Sequence, residues 1–277
     1  MSTCYFVIFL DADDALLPGA VQQVVEAFDR CPDAAKVQYR MEVIDALGRP
    51  TGVLKPPDYL ALPNGDYHQR VLSFPGDIPW LPTSGNAFSA AVLRNIFPIP
   101  EEPFRLLADF YLTQLTPLFG LVITLPEVGA YYRVHGSNRH ELDSYKINLP
   151  AVRRNIIYWR RTHRWIEHYA RETGLYYPES NRRGILSVSY VAFRLISLRL
   201  DREQHPFPED TVWRLIRQGV EASRRRFDVS PVKQLQFVIW FLAMAAAPGR
   251  LATWLAEAFL FPEKRGRITQ LLNQALG

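Results

Sequence analysis

Hydrophobic and polar positions along the chain follow two regimes. Residues 5–10, YFVIFL, are a continuous apolar run rich in Phe, Val and Ile, the pattern of a buried strand in a parallel or mixed sheet. From Pro18 the period becomes helical, with Val21, Val24, Val25 and Phe28 on one face and an end near Cys31-Pro32. Residues 36–45 alternate as a strand, Leu47-Gly48-Arg49-Pro50 reads as a turn, and proline-rich loops fill much of 54–82. Thr83-Ser84-Gly85-Asn86 leads into a short helix over 90–95, which Pro98-Ile99-Pro100 ends. Residues 104–119 carry a helical period, and 121–125 and 129–134 read as two short strands split by Pro126. Alternating elements of this kind predict an α/β layered domain.

After Pro150 the strand signals stop. Tyr158, Thr162, Trp165 and Tyr169 form one helical stripe, and Leu186, Tyr190, Phe193, Ile196 and Leu200 form another. The pattern predicts an α/β domain over residues 1–150 and a helical region over 151–277, with the boundary at 148–152.

Composition adds an asymmetry. The 277 residues are 48% hydrophobic, enough for a real core. Residues 1–150 carry 11 Lys+Arg against 17 Asp+Glu, whereas residues 151–277 carry 21 against 11. An acidic half suits metal chelation; a basic half suits an anionic surface. Cys4 and Cys31 are too few for a disulfide framework, which favours a reducing, cytoplasmic compartment. The first apolar run is short, lacks a basic leader and meets acids at once, so it does not read as a signal peptide. The longest apolar stretch, 237–247, is shorter than the roughly 18 residues of a spanning helix.

The candidate chemistry sits where the first run stops, at Asp11, Asp13 and Asp14. Carboxylates at i and i+2 on an extended segment share a side and can converge on one hard cation, which in turn can bridge diphosphate oxygens. Two other readings compete. Asp13 or Asp14 caps the following helix, or Asp11 is the nucleophile of a haloacid-dehalogenase-type phosphatase. The phosphatase reading lacks the Thr or Val expected after the second Asp, and no lysine is followed by an acidic pair closing an apolar strand.

Four segments taken in order, FLDADDALLPGAV, TSGNAFSAAVLRNIFPIPEE, FRLLADFYL and LPEVGAYYRVHGSN, resemble the family 2 glycosyltransferases. The resemblance implies a GT-A fold: a mixed sheet with flanking helices, followed here by an all-helical region. It implies transfer of a sugar from a nucleotide-diphosphate donor to a hydroxyl of a glycan or lipid-linked acceptor, with inversion and assisted by Mn²⁺ or Mg²⁺. By position, Asp11 contacts the ribose or base side of the donor, Asp13 holds the metal, and Asp109 is the base that deprotonates the acceptor. Ser84, Gly85 and Asn86 lie beside the acceptor. Arg133 and His135 reach the diphosphate, with His135 a second metal ligand. Many family members have Glu-Asp where this chain has Ala108-Asp109.

In that fold a β-α-β-α-β stretch of roughly 60 to 90 residues precedes the D-x-D turn. Only four residues precede the first strand here. The expectation is a longer native protein, with this chain a truncated GT-A domain that is poorly stable and inactive alone. The competing class is a non-catalytic fragment or accessory subunit that binds no donor. In the basic half, Arg153 to Arg164 among Tyr158, Trp159 and Trp165 reads either as an interfacial helix on an anionic membrane or as a solvated face packing its aromatics inward. Residues 235–261 read either as a membrane-interface segment or as a buried hairpin turning at Pro248-Gly249. No nucleic-acid partner is expected. The implied setting is envelope polysaccharide synthesis at the inner face of a membrane.

Overall fold

The alternating stretch predicted over 36–45 organises the sheet. The structure, a computed structural model, describes residues 5–104, 108–135, 146–175 and 187–261. In chain order the first elements are β1 (Phe6–Ile8), β2 (Ala15–Leu16), α1 (Ala20–Arg30), β3 (Ala34–Ile44), β4 (Pro50–Lys55) and α2 (His68–Ser73). Then come β5 (Asn86–Ser89), α3 (Ala90–Ile96), α4 (Glu101–Phe104), α5 (Ala108–Leu115) and β6 (Leu121–Arg133). The described elements after Arg133 are all helical: α6 (Leu149–Glu172), α7 (Val188–Leu200), α8 (Val212–Arg225), α9 (Pro231–Ala246) and α10 (Gly249–Leu260).

The sheet has the order β1-β5-β3-β6-β2, with β4 paired to the far end of β3. It is mixed: β3 and β6 run parallel and the other pairs antiparallel. One face of β3 is apolar, with Val37, Tyr39 and Met41 fully buried against Val24 and Ala27 of α1. The other face is polar and tied down. Gln38 Nε2 donates to Thr124 Oγ1 at 2.9 Å, and Arg40 donates to the carbonyls of Pro56 and Pro57 at 2.7 and 2.9 Å. Buried polar atoms need such partners, and this is how the proline-rich segment is fastened to the sheet.

Several expectations change. The first apolar run is an edge strand rather than a buried central one, since among the described residues β1 pairs only with β5. Its side chains are partly buried on both faces, while Tyr5 and Leu10 beside it are exposed. In α1 the buried face is Ala20, Val24 and Ala27, and Val21 and Val25 point outward. The alanines let the helix approach the sheet closely, a fit that the larger valines would prevent. Residues 50–55 form a strand that Pro50 and Gly52 concealed. Pro126 does not divide two strands. It falls in a register shift of a single β6, which absorbs the missing N–H. Of the helical period over 104–119, Phe104 belongs to α4, Ala108–Leu115 form α5 and Thr116–Leu118 a 3-10 turn, while residues 105–107 lie outside the described residues.

Contacts divide the chain into two units. The first comprises Met1–His135, Tyr158–Ile185 and Phe227–Ser230; the second comprises Gly136–Ile157, Leu186–Arg226 and Pro231–Gly277. Helix α6 contributes to both. Within the first unit its aromatics pack inward: Trp159 stacks on Phe110 at 5.9 Å and Trp165 lies 6.5 Å from Phe104. Of the two readings of that stretch, this packing agrees with the one in which its aromatics turn inward. Of the second stripe, Tyr190 and Ile196 are buried in α7, and Leu186 lies outside the described residues. In the second unit, α7 and α8 open on Ser187 and Thr211, whose side chains accept from the third residue onward, an N-cap worth about 1 kcal/mol.

Candidate active site

The acidic run is a tight turn, not an extended segment. Asp14 N donates to Asp11 O at 3.1 Å, so the carboxylates are gathered by a reversal of the backbone rather than by strand alternation. The turn leads into β2, and α1 begins only at Ala20 with Gly19 at its cap position. Neither Asp13 nor Asp14 caps that helix.

Two residues brace the turn from distant parts of the chain. Ser84 is fully buried; its Oγ accepts from Asp11 N at 3.0 Å, and its hydroxyl proton serves the Asp14 carboxylate. Arg133, at the end of β6, donates its backbone N–H to Asp14 Oδ1 at 3.0 Å and its Nε to Asp13 O at 2.9 Å. A terminal guanidinium nitrogen lies 3.4 Å from the carbonyls of Asp45 and Ala46 in the β3–β4 turn. Arg133 thus fastens the acidic turn to a neighbouring loop.

The carboxylates themselves are held at a cost. Burial pushes Asp11 above its ordinary value, and the charge of Asp13 adds to the effect. Asp14 is also raised by burial, although the bonds from Ser84 and Arg133 oppose it, and its Oδ2 is buried with no hydrogen-bond partner. Asp13 Oδ2 lies 3.0 Å from His135 Nε2, with both side chains about one-third exposed, at 37% and 34%.

Asp109 stands in the first turn of α5 and accepts from Phe110 N through Oδ1 at 2.7 Å. Its carboxyl is pushed up to about 6, first by burial and then by the negative charge of Asp11, against the opposing Phe110 bond. Asp11 and Asp109, 98 positions apart in sequence, therefore share one electrostatic field.

The remaining predicted residues turn inward. Gly85 is buried, and a Cβ there would lie 3.1 Å from the Tyr39 carbonyl oxygen and 3.4 Å from Met41 Sδ, so the close approach it permits is to β3. Asn86 is fully buried; it accepts from Lys36 Nζ at 3.0 Å and donates to Pro82 O at 2.8 Å. Lys36 is buried as well, and desolvation lowers its pKa to about 7. Of the Ser84-Gly85-Asn86 segment, only Ser84 touches the acidic turn in the bonds described.

The chain is 34% identical over 134 residues to an uncharacterized glycosyltransferase of Nostoc sp. (strain PCC 7120). The likeness is to a glycosyltransferase. It takes in 48% of this chain and 41% of the relative, so the chain matches about two fifths of that protein's length. No protein-family model matches.

Among the described residues, no group of three or more His, Cys, Asp or Glu converges on a point fit for a metal ion. Asp13 and His135 do present an oxygen and a nitrogen side by side, a mixed donor pair suited to Mn²⁺ or a similar divalent ion. Sequence reasoning missed the bracing roles of Ser84 and Arg133. Their partners lie 73 and 120 positions away, and no local pattern signals them.

Proposed function

We propose that this protein is an inverting, family 2-type glycosyltransferase that moves a sugar from a nucleotide-diphosphate donor to a hydroxyl of a glycan or lipid-linked acceptor. The mixed α/β fold is compatible with that class, and the Nostoc relative bears a glycosyltransferase name. The observation that carries the reading is the raised pKa of Asp109, with its second cause in Asp11 of the acidic turn. A carboxyl near 6 is a competent general base at neutral pH, and its field partner sits where the resemblance puts the donor.

In this mechanism Asp109 accepts the proton of the acceptor hydroxyl as that oxygen bonds to the anomeric carbon. The bond from that carbon to the diphosphate oxygen breaks on the opposite face, and its electron pair leaves with the nucleoside diphosphate. Asp13 and His135 would hold a divalent ion, which would supply positive charge against the departing diphosphate. Ser84 and Arg133 keep the turn in place, and Asp11 orients the donor. The setting we assign is the inner face of a membrane, in polysaccharide or lipopolysaccharide synthesis.

The test is turnover of a panel of nucleotide sugars with Mn²⁺, comparing wild type with Asp109→Asn and Asp13→Asn. Loss in both variants supports the assignment. Equal turnover in all three overturns the site. A wild type that binds no donor is an accessory subunit, and one that instead releases phosphate from a phosphomonoester is a phosphatase.

A further inference from the structure

Helix α9 turns an apolar face to solvent. Val232, Leu235, Ile239 and Leu242 recur at three- and four-residue intervals, which places them on one side of the helix. They are 67%, 58%, 55% and 51% exposed. Phe241 and Met244, on the opposite side, are buried in the second unit. The helix is therefore apolar on both sides, a pattern that water alone does not favour.

The arrangement is braced from within. Trp240 Nε1 donates to Leu255 O at 3.0 Å, and the Trp240 and Phe259 rings lie 4.5 Å apart, closing α9 and α10 into a hairpin. A Cβ at Gly219 of α8 would fall 2.5 Å from the Phe241 ring, so α8 and α9 are in close contact there. Rotating α9 to hide its outer side chains would break these contacts. Helix α10 adds exposed Leu251 and Trp254.

Charge selects the occupant. Residues 231–260 carry one acid, Glu257, whose Oε1 accepts from Ile147 N at 3.4 Å, and two cations, Lys233 and Arg250, in the opening turns of α9 and α10. Arg226 joins them near the α9 start, 6.0 Å from the Phe237 ring. A second copy meeting this face by twofold symmetry would set like charges against one another. An anionic lipid surface offers acyl chains for the aliphatic residues, headgroups for the cations and a boundary that suits Trp. At 16 residues α9 is about 24 Å long, and no described helix is long and apolar enough to cross a membrane.

We propose that the α9–α10 hairpin docks in the plane of an anionic lipid surface, with the four outward aliphatic residues of α9 and Trp254 at the acyl boundary and Lys233 and Arg250 at the headgroups. This is independent of glycosyl transfer and holds whether or not the acidic site is catalytic.

The test is flotation of the full chain with vesicles of phosphatidylcholine, with and without phosphatidylglycerol. Wild type should float with the anionic vesicles and be weakened by high salt. The double variant Ile239→Glu/Leu242→Glu should lose binding by on the order of tenfold or more, while Lys233→Gln/Arg250→Gln should lose several-fold. Quenching of wild-type fluorescence by brominated lipid, reduced in Trp254→Phe, reads the same contact without charge insertion. Absence of flotation, unchanged flotation of the Glu variant or no quenching of Trp254 overturns the proposal. So does a stable wild-type dimer, seen by sedimentation, that the Glu variant dissociates.

Discussion

Asp109 in the first unit is partly buried and Asp210 in the second fully buried, yet burial prevails at the first and is overruled at the second. Burial also pushes Asp210 up, but bonds from His205 and Arg194 together bring it below the ordinary value. Asp210 accepts from Arg194 Nε at 2.8 Å, from a second guanidinium nitrogen, and from His205 Nε2 at 3.0 Å. His205 Nδ1 in turn lies 3.0 Å from Ser197 Oγ. A serine, a histidine and an aspartate in series suggest a nucleophile, but Ser197 is fully buried, so the chain is a structural tie. Among the described residues, the charge that acts on Asp109 is another acid, Asp11. Carboxylates left poorly compensated are typical of working sites, and compensated ones of scaffolds.

The sharpest way to break this contrast is Asp109→Asn. Turnover should fall on the order of 10²- to 10⁴-fold, while the melting temperature at neutral pH rises, because the amide removes a charge the fold keeps poorly. Donor turnover and calorimetry on one preparation check both halves, and a destabilised variant would show that Asp109 is structural. Next in size is Asp210→Ala. It leaves the Arg194 guanidinium buried without its carboxylate and should cost about 3–5 kcal/mol in chemical denaturation.

The two acids also predict opposite pH slopes. Asp109, raised to about 6 from an ordinary 3.8, binds its proton more tightly when folded. Its contribution is favourable at low pH and declines as pH rises from 3.8 to about 6. Asp210, lowered, contributes stability above the ordinary carboxylate value that is lost as pH falls through its folded value. Denaturation midpoints against pH for the Asn variant at each site separate the two. The catalytic reading adds an acid limb in kcat/KM near pH 6 that Asp109→Asn abolishes. The smallest effect is Ser84→Ala, which strands Asp11 N and weakens the hold on Asp14, for about 1–2 kcal/mol. A loss that vanishes in denaturation but persists in Mn²⁺ affinity would mean that Ser84 positions the turn without stabilising the fold.

How much of this the chain discloses depends on the range over which each residue acts. Strand β3 was legible because its alternation is local; Asp11, Asp13, Asp109 and His135 stood out as candidates from the order of their segments, and the structure sets Asp13 beside His135 and Asp11 in the field of Asp109. The edge position of β1 was not, since an apolar run has the same appearance in the middle of a sheet as at its border. The outward turn of Val21 and Val25 depends on how closely α1 approaches β3, and the inward turn of Asn86 depends on meeting Lys36, 50 positions away. Gly136-Ser137-Asn138, part of the last motif, lie outside the described residues.

The register shift in β6 acts as a parity switch for the site. Between Gln38 and Ile44 the chain advances six positions on β3, while its partner advances nine, from Thr124 to Arg133. Three is odd, so the side chains that face α1 are Ile123 and Leu125 before the shift and Ala130 and Tyr132 after it. The same surplus sets which residue arrives at the acidic turn. Were the strand to pair evenly with β3 from Thr124 onward, Ala130 would fall opposite Ile44, and Asp14 would face a residue with no guanidinium to offer. The surplus residues between Thr124 and Ala130 are thus the spacer that brings Arg133 to the acidic turn, whatever their loop-like composition suggests.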